Sequence, residues 1–182
     1  DYPKLQLPGN ENTYYEADGT GYWLEPGDPG VQEYLLSLLR ELMSKYPELD
    51  GVQLDFARLP YVVPFSPGAR FPKGITYGYG KRSVDRFRAA TKWDPLHWDG
   101  ATASAMAWDD WRRGQITEFV RKARKEVRKR LPQGKLSAAV LCWGDRAYLT
   151  AYQDWRSWLA DGDVDFVALM NYSMETKLFS QM

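Results

Sequence analysis

Sulfur and imidazole are almost missing from this chain: Cys142 is the one cysteine and His97 the one histidine among 182 residues. A single thiol excludes an internal disulfide and a zinc cluster, and it is compatible with any compartment, secretion included. Excess charge of either sign is missing too. The 24 Lys and Arg balance 24 Asp and Glu, so nothing draws the chain to nucleic acid or to an anionic membrane surface. No run reaches the roughly 18 apolar residues that span a bilayer, and no signal peptide opens the chain. The first residue is Asp1 rather than Met, so a targeting segment removed upstream stays compatible with the sequence. No Gly-x-Gly-x-x-Gly or phosphate loop follows a strand-like segment, which argues against a nucleotide enzyme; no cofactor is expected. Ser137 lies inside a strand-like run without the Gly-x-Ser-x-Gly elbow of a hydrolase nucleophile.

What is present is one domain's length of chain with eight Trp and twelve Tyr. Aromatic rings stack on the apolar faces of sugars, and they are also ordinary core material. Residues 1–20 read as a long Gly-, Asn- and Asp-rich loop, and 21–25 as the end of a strand. Asp28 and Pro29 suit the N-cap and first position of a helix whose Val31, Tyr34, Leu35, Leu38, Leu39, Leu42 and Tyr46 follow with helical spacing. Pro47 ends it, and a buried strand over 52–56 follows. Helices are expected over 81–91 and from about 105 to 131. In the second, the basic run 121–130 is the wet face, and Phe119, Val120, Ala123, Val127 and Leu131 are its apolar partners. Further strands are expected over 136–142 and 164–170. Between them lies a helix with Tyr148, Tyr152, Trp155 and Leu159 turned inward, and a last helix starts near Met174.

Four strands alternating with helices predict an α/β fold in which every strand is parallel and covered on both faces. Either an open doubly wound sheet or a (β/α)8 TIM barrel fits. In both, chemistry gathers where strands end, which singles out Asp50-Gly-Val-Gln-Leu-Asp55-Phe-Ala-Arg58-Leu-Pro60. Asp55 and Arg58 put a carboxylate and a guanidinium three residues apart at a strand's C-terminal end. Asp50, at the opposite end, is read as a turn cap. Four strands cannot close a barrel, so the chain is expected to be a segment of a longer one.

That motif resembles the "DGI-(H/Q)-(L/F)-D-Y-(I)-R-(Y)-P" signature of the glycosyl-hydrolase-like family 10 proteins. Trp23-Leu-Glu25-Pro26-Gly27 with Val31-Gln-Glu-Tyr34-Leu35 is similar to the family's "WLDP…P-x-V-(R/Q)-x-Y-L". Asp163-Val-Asp165-Phe-Val-Ala-Leu-Met170-Asn-Tyr172 matches its "G-x-V-D-x-I-x-P-M-x-Y". Tyr77-Gly-Tyr-Gly80, Trp93-Asp94-Pro95, Trp108 with Trp111-Arg112, Leu136-Ser-Ala-Ala-Val140 and Gln153-Asp-Trp155 are similar to segments of cyanobacterial-type members. The series spans roughly residues 21–175 in the family's order.

The resemblance implies a (β/α)8 barrel acting on glycosidic bonds of bacterial envelope or extracellular polysaccharide. Barrel strands 3 to 6 would end near Glu25, Phe56, Cys142 and Met170. A more distant likeness to the chitinase-like family 18 barrels places Ala57 on that family's catalytic Glu, so shared ancestry is implied and shared mechanism is not. Glycoside hydrolysis uses two carboxyl groups, one protonated and one ionised. Asp55 is the first candidate, with Arg58 holding it ionised or binding a substrate oxygen. Glu25, beside Trp23, and Asp145, just after Trp143, are the alternatives for the second. Trp143, Asn171 and Tyr172 are candidate sugar contacts, while Trp108, Trp111 and Trp155 have the spacing of core residues. The rival reading is a glycan-binding barrel without catalysis.

Overall fold

The computed structural model describes residues 24–59, 78–97 and 102–181. Among these, three strands form one parallel sheet: β1 (Gly51–Leu54), β2 (Lys135–Leu141) and β3 (Phe166–Met170), in the order β1-β2-β3. The α/β class with a parallel sheet is therefore as expected, with three strands in place of four. Of the expected first strand, 21–23 lie outside the described residues, and Leu24 and Glu25 are not extended ladder partners but lead into a turn. The registers Leu54↔Ala138 and Leu141↔Met170 align the strands. Gly51 is obligatory at its place, because a Cβ there would stand 2.3 Å from the Lys135 carbonyl oxygen.

Helix α1 (Pro29–Lys45) starts as its sequence dictates: Asp28 accepts a hydrogen bond from Gly30 N–H and Pro29 opens the first turn. Its buried face differs from the expected one. Gln32, Leu36, Leu39 and Met43 face inward with Val31, whereas Tyr34, Leu38, Leu42 and Tyr46 are exposed. The polar Gln32 decides this rotation. Its amide donates to the Pro26 and Gln115 carbonyls at 2.8 and 3.1 Å and accepts from Lys122, locking α1 onto α3 (Thr102–Arg130). Helix α2 (Lys81–Thr91) lies where its spacing placed it.

The apolar cluster sits on one side of the sheet. Val52, Leu54, Leu136, Ala138, Val140 and Val167 meet Leu36, Leu39 and Met43 of α1 and Ile116, Val120, Ala123 and Val127 of α3. The wet side of α3 carries the basic run, as expected. Among the described residues the central strand alone is covered on both faces: Ser137 and Ala139 are buried, but Gln53 and Phe166 on the same face of the edge strands are exposed. Period-two alternation sets the two faces: Val52, Leu54, Leu136, Ala138, Val140 and Val167 turn to the helices, and Gln53, Ser137, Ala139 and Phe166 turn away from them.

The helix expected to run through Tyr148, Tyr152, Trp155 and Leu159 is two pieces, α4 (Gly144–Thr150) and α5 (Trp155–Ala160), followed after β3 by one turn, α6 (Thr176–Phe179). Tyr148 and Leu159 are not turned fully inward but keep 37% of their surface exposed. The break comes from Tyr152, whose φ of +56° is left-handed, and from Asp154, which caps α5 by accepting from Ser157 N–H. The break turns Gln153 inward, where it is fully buried. Its Oε1 accepts from Leu141 N–H at 2.9 Å, and its Nε2 donates to the carbonyls of Ala57 and Ala139 at 3.3 and 3.2 Å.

At the other end of the sheet, Asp165 accepts from both terminal (Nη) guanidinium nitrogens of Arg124 and from the Leu136 N–H. The Arg124 hydrogen bonds hold its carboxyl below the usual carboxylate range. Replacing Gln153 with Ala strands three buried backbone groups, and urea unfolding should show a loss of about 3 kcal/mol or more. Asp165→Asn should cost on the order of 1–2 kcal/mol at neutral pH. Because the native carboxyl titrates below its unfolded counterpart, wild type should lose that advantage as pH falls below about 4; denaturant midpoints of the two proteins at several pH values check this.

Candidate functional site

All three strands end at one edge of the sheet, and each delivers polar and aromatic residues there. After β1 come Asp55, Phe56 and Arg58; after β2 come Trp143 and Asp145; after β3 come Asn171 and Tyr172. The loop after β1 is pinned from below. Ala57 and Leu59 are buried in the core, Leu59 N–H donates to the Ala151 carbonyl at 2.9 Å, and Gln153 holds the Ala57 carbonyl. Asp55 and Phe56 are left at the surface. Asp55 accepts from the Phe56 N–H at 2.7 Å. Arg58 donates to the Leu59 carbonyl at 3.3 Å and its guanidinium lies over the Phe56 ring at 5.0 Å.

Glu25 is in a different setting. Its Oε1 accepts from Gly27 N–H at 2.8 Å and its Oε2 from Gly80 N–H at 3.1 Å. Burial pushes its carboxyl above the usual range, although both backbone donors and the nearby Arg112 charge pull the other way. Asp145 opens α4, exposed, in an ion pair with Arg156 at 2.6 Å. It lies in a cavity of about 310 Å³ whose lining also includes Tyr148, Gln153 and Trp155. The carboxyl groups of Asp55, Glu25 and Asp145 share no hydrogen bond with one another. Trp143 is exposed with the Arg146 guanidinium 5.9 Å from its ring. Asn171 donates to the Phe179 carbonyl at 3.0 Å, and Tyr172 is among the most exposed side chains. Trp23 lies outside the described residues, as do 60–77 and so most of the Pro-, Gly- and aromatic-rich segment that follows Asp55.

Near the segment carrying Glu25 lies a residue that spacing alone did not single out. Arg112 is buried on α3, one turn from both Trp108 and Ile116, so it occupies the apolar face of its helix. It hydrogen-bonds Asp109 and the Tyr152 hydroxyl, and its guanidinium faces the rings of Tyr152, Tyr79 and Trp108 at 4.2, 5.1 and 5.7 Å. Gly78 permits this, since at φ +89° an added Cβ would stand 2.7 Å from Arg112 Cδ and 3.2 Å from Leu59 Cδ1. Burial pushes the Tyr152 phenol up to about 12, with Asp109 adding to the effect and Arg112 opposing it. An arginine at helical spacing from Trp108 was the available signal, and its meaning depended on Tyr79 and Tyr152, which are remote in sequence. The one histidine is exposed and bonded through Nδ1 to Asp94 at 2.8 Å, beside the Arg88–Asp94 pair.

The chain is 29% identical over 176 residues to glycosyl hydrolase DigH of Escherichia coli K12, covering 87% of this chain and 34% of that protein. It is 23% identical over 188 residues to glycosyl hydrolase YngK of Bacillus subtilis, covering 94% of this chain and 31% of that protein. The chain thus spans about a third of the length of these relatives. The family described as glycosyl hydrolase-like 10 matches residues 3–181, and the chain belongs to that family.

Proposed function

We propose that this chain is the central part of a (β/α)8 glycoside hydrolase that cleaves glycosidic bonds in bacterial cell-wall or extracellular polysaccharide, working in the cell envelope or outside the cell. The observation that carries the reading is the common edge: three adjacent parallel strands each end in groups suited to a sugar, as the active face of a barrel requires. Strands in consecutive order with helices packed on one side are what a barrel segment displays. The free edges of β1 and β3 would then pair with the remaining strands. Tyr34, Leu38 and Leu42 on the outer face of α1 would meet the neighbouring barrel helix.

In this mechanism Asp55 is the catalytic carboxylate at the anomeric carbon, and Arg58 positions it or a substrate oxygen. Glu25 is the first choice for the second group. Burial favours its protonated form, and each of its oxygens keeps a lone-pair site beyond the backbone bond it accepts. It would protonate the departing glycosidic oxygen as that C–O bond breaks, and water would complete the hydrolysis. Asp145 is the alternative. Trp143, Asn171, Tyr172 and Trp23 would hold the sugar rings by stacking and hydrogen bonding. One observation favours a second reading, a barrel that binds glycan without cutting it: both Glu25 oxygens and the Asp145 carboxylate are already engaged by partners within the protein.

Reducing-end release from purified cell-wall glycan and chitin oligomers by the full-length protein separates the two. The hydrolase reading predicts a fall of about 10³-fold in Asp55→Asn with fold and glycan binding intact. Binding that Trp143→Ala abolishes, with no release by wild type, would establish the binding module instead.

A further inference from the structure

We infer that Phe56 is a sugar-stacking residue of the same strand-end rim, forming with Trp143 and Tyr172 a row of three aromatics that contacts consecutive rings of one glycan chain. The inference rests on the carbohydrate reading above and adds a residue that it leaves unused. Phe56 stands two positions beyond the end of β1, as Trp143 does beyond β2 and Tyr172 beyond β3. Because the strands are neighbours in that order, the three residues succeed one another along the edge at about 4.8 Å per strand. Register grades the row. Leu141↔Met170 sets Trp143 level with Tyr172, whereas Leu54↔Ala138 sets Phe56 lower, beside Asp55.

Two observations set Phe56 apart from its strand. Strand alternation would send residue 56 to the helix side with Val52 and Leu54, but its φ of +54° breaks the alternation. The ring is 57% exposed, in the company of Trp143 at 45% and Tyr172 at 87%. A left-handed φ is unfavourable for an aromatic residue and free of that cost for glycine. The Arg58 guanidinium 5.0 Å from the ring steadies it. A rigid ring beside Asp55 suits the C–H face of a pyranose next to the bond being cut.

The test is equilibrium binding of chitin oligomers and of soluble purified cell-wall glycan to the full-length protein in an Asp55→Asn background, where turnover does not blur the reading. Phe56→Gly and Phe56→Leu should each raise Kd roughly tenfold, since the flat ring is lost in both, while Phe56→Tyr should stay within about twofold. Should Phe56→Gly fail to fold, the Leu and Tyr variants decide alone. Leu binding as well as Phe overturns the inference. If Trp143→Ala weakens binding in the same assay, that outcome leaves the carbohydrate reading standing. Absence of both binding and wild-type turnover on every glycan overturns that reading and this inference together.

Discussion

The buried primary amide of Gln153 is the contact through which the strand-end loops are held in place. Its three partners are backbone groups of fixed polarity, two carbonyls and one N–H, so the amide has one orientation that satisfies all of them. The Ala57 carbonyl belongs to the loop that carries Asp55 and Arg58, and the Ala139 and Leu141 groups belong to β2, which leads to Trp143. A fully buried amide left half-satisfied is costly. Displacement of either loop is therefore resisted by the core and not by surface contacts alone. Leu59 N–H to the Ala151 carbonyl and Trp155 Nε1–H to the Leu141 carbonyl at 3.1 Å reinforce the same junction.

Around this junction the molecule stores polarity where a simpler core would be apolar. Arg112 lies among three aromatic rings with Asp109 and the Tyr152 hydroxyl as its hydrogen-bond partners. Its charge lies close enough to Glu25 to favour the ionised carboxylate, yet burial outweighs it. Asp55, on the loop after β1, is by contrast exposed. Two aromatic residues in left-handed backbone geometry, Phe56 and Tyr152, flank the arrangement. One sets its ring beside Arg58 and the other beside Arg112.

Much of the fold was legible because its determinants are local. Asp28 and Pro29 specify the start of α1, the spacing of Val84 and Phe87 specifies α2, and the apolar run 136–141 can hardly be other than a central strand. The face that α1 buries was not legible. Its apolar residues cover more than half its circumference, and Gln32, a polar side chain within that arc, selects the orientation by bonding to α3. The split between α4 and α5 was hidden for a similar reason: Tyr148, Tyr152, Trp155 and Leu159 keep helical spacing across a break made by one left-handed residue and one cap.

By itself the sequence determined the α/β class, the parallel strands, the membership in a family of glycosyl hydrolase-like proteins and the strand ends at which Asp55, Trp143 and Tyr172 stand. Hydrophobic period, turn residues and motif order are properties of neighbouring positions, and neighbouring positions are what a sequence displays. Only the tertiary structure decided that Gln153 joins two loops, that Glu25 is half-buried and held by Gly27 and Gly80, that Arg112 enters an aromatic cage and that Phe56 leaves the strand alternation. Each of these joins residues from separate elements, or reverses a local preference because distant partners compensate for it, and no window of sequence contains both halves of such a bargain.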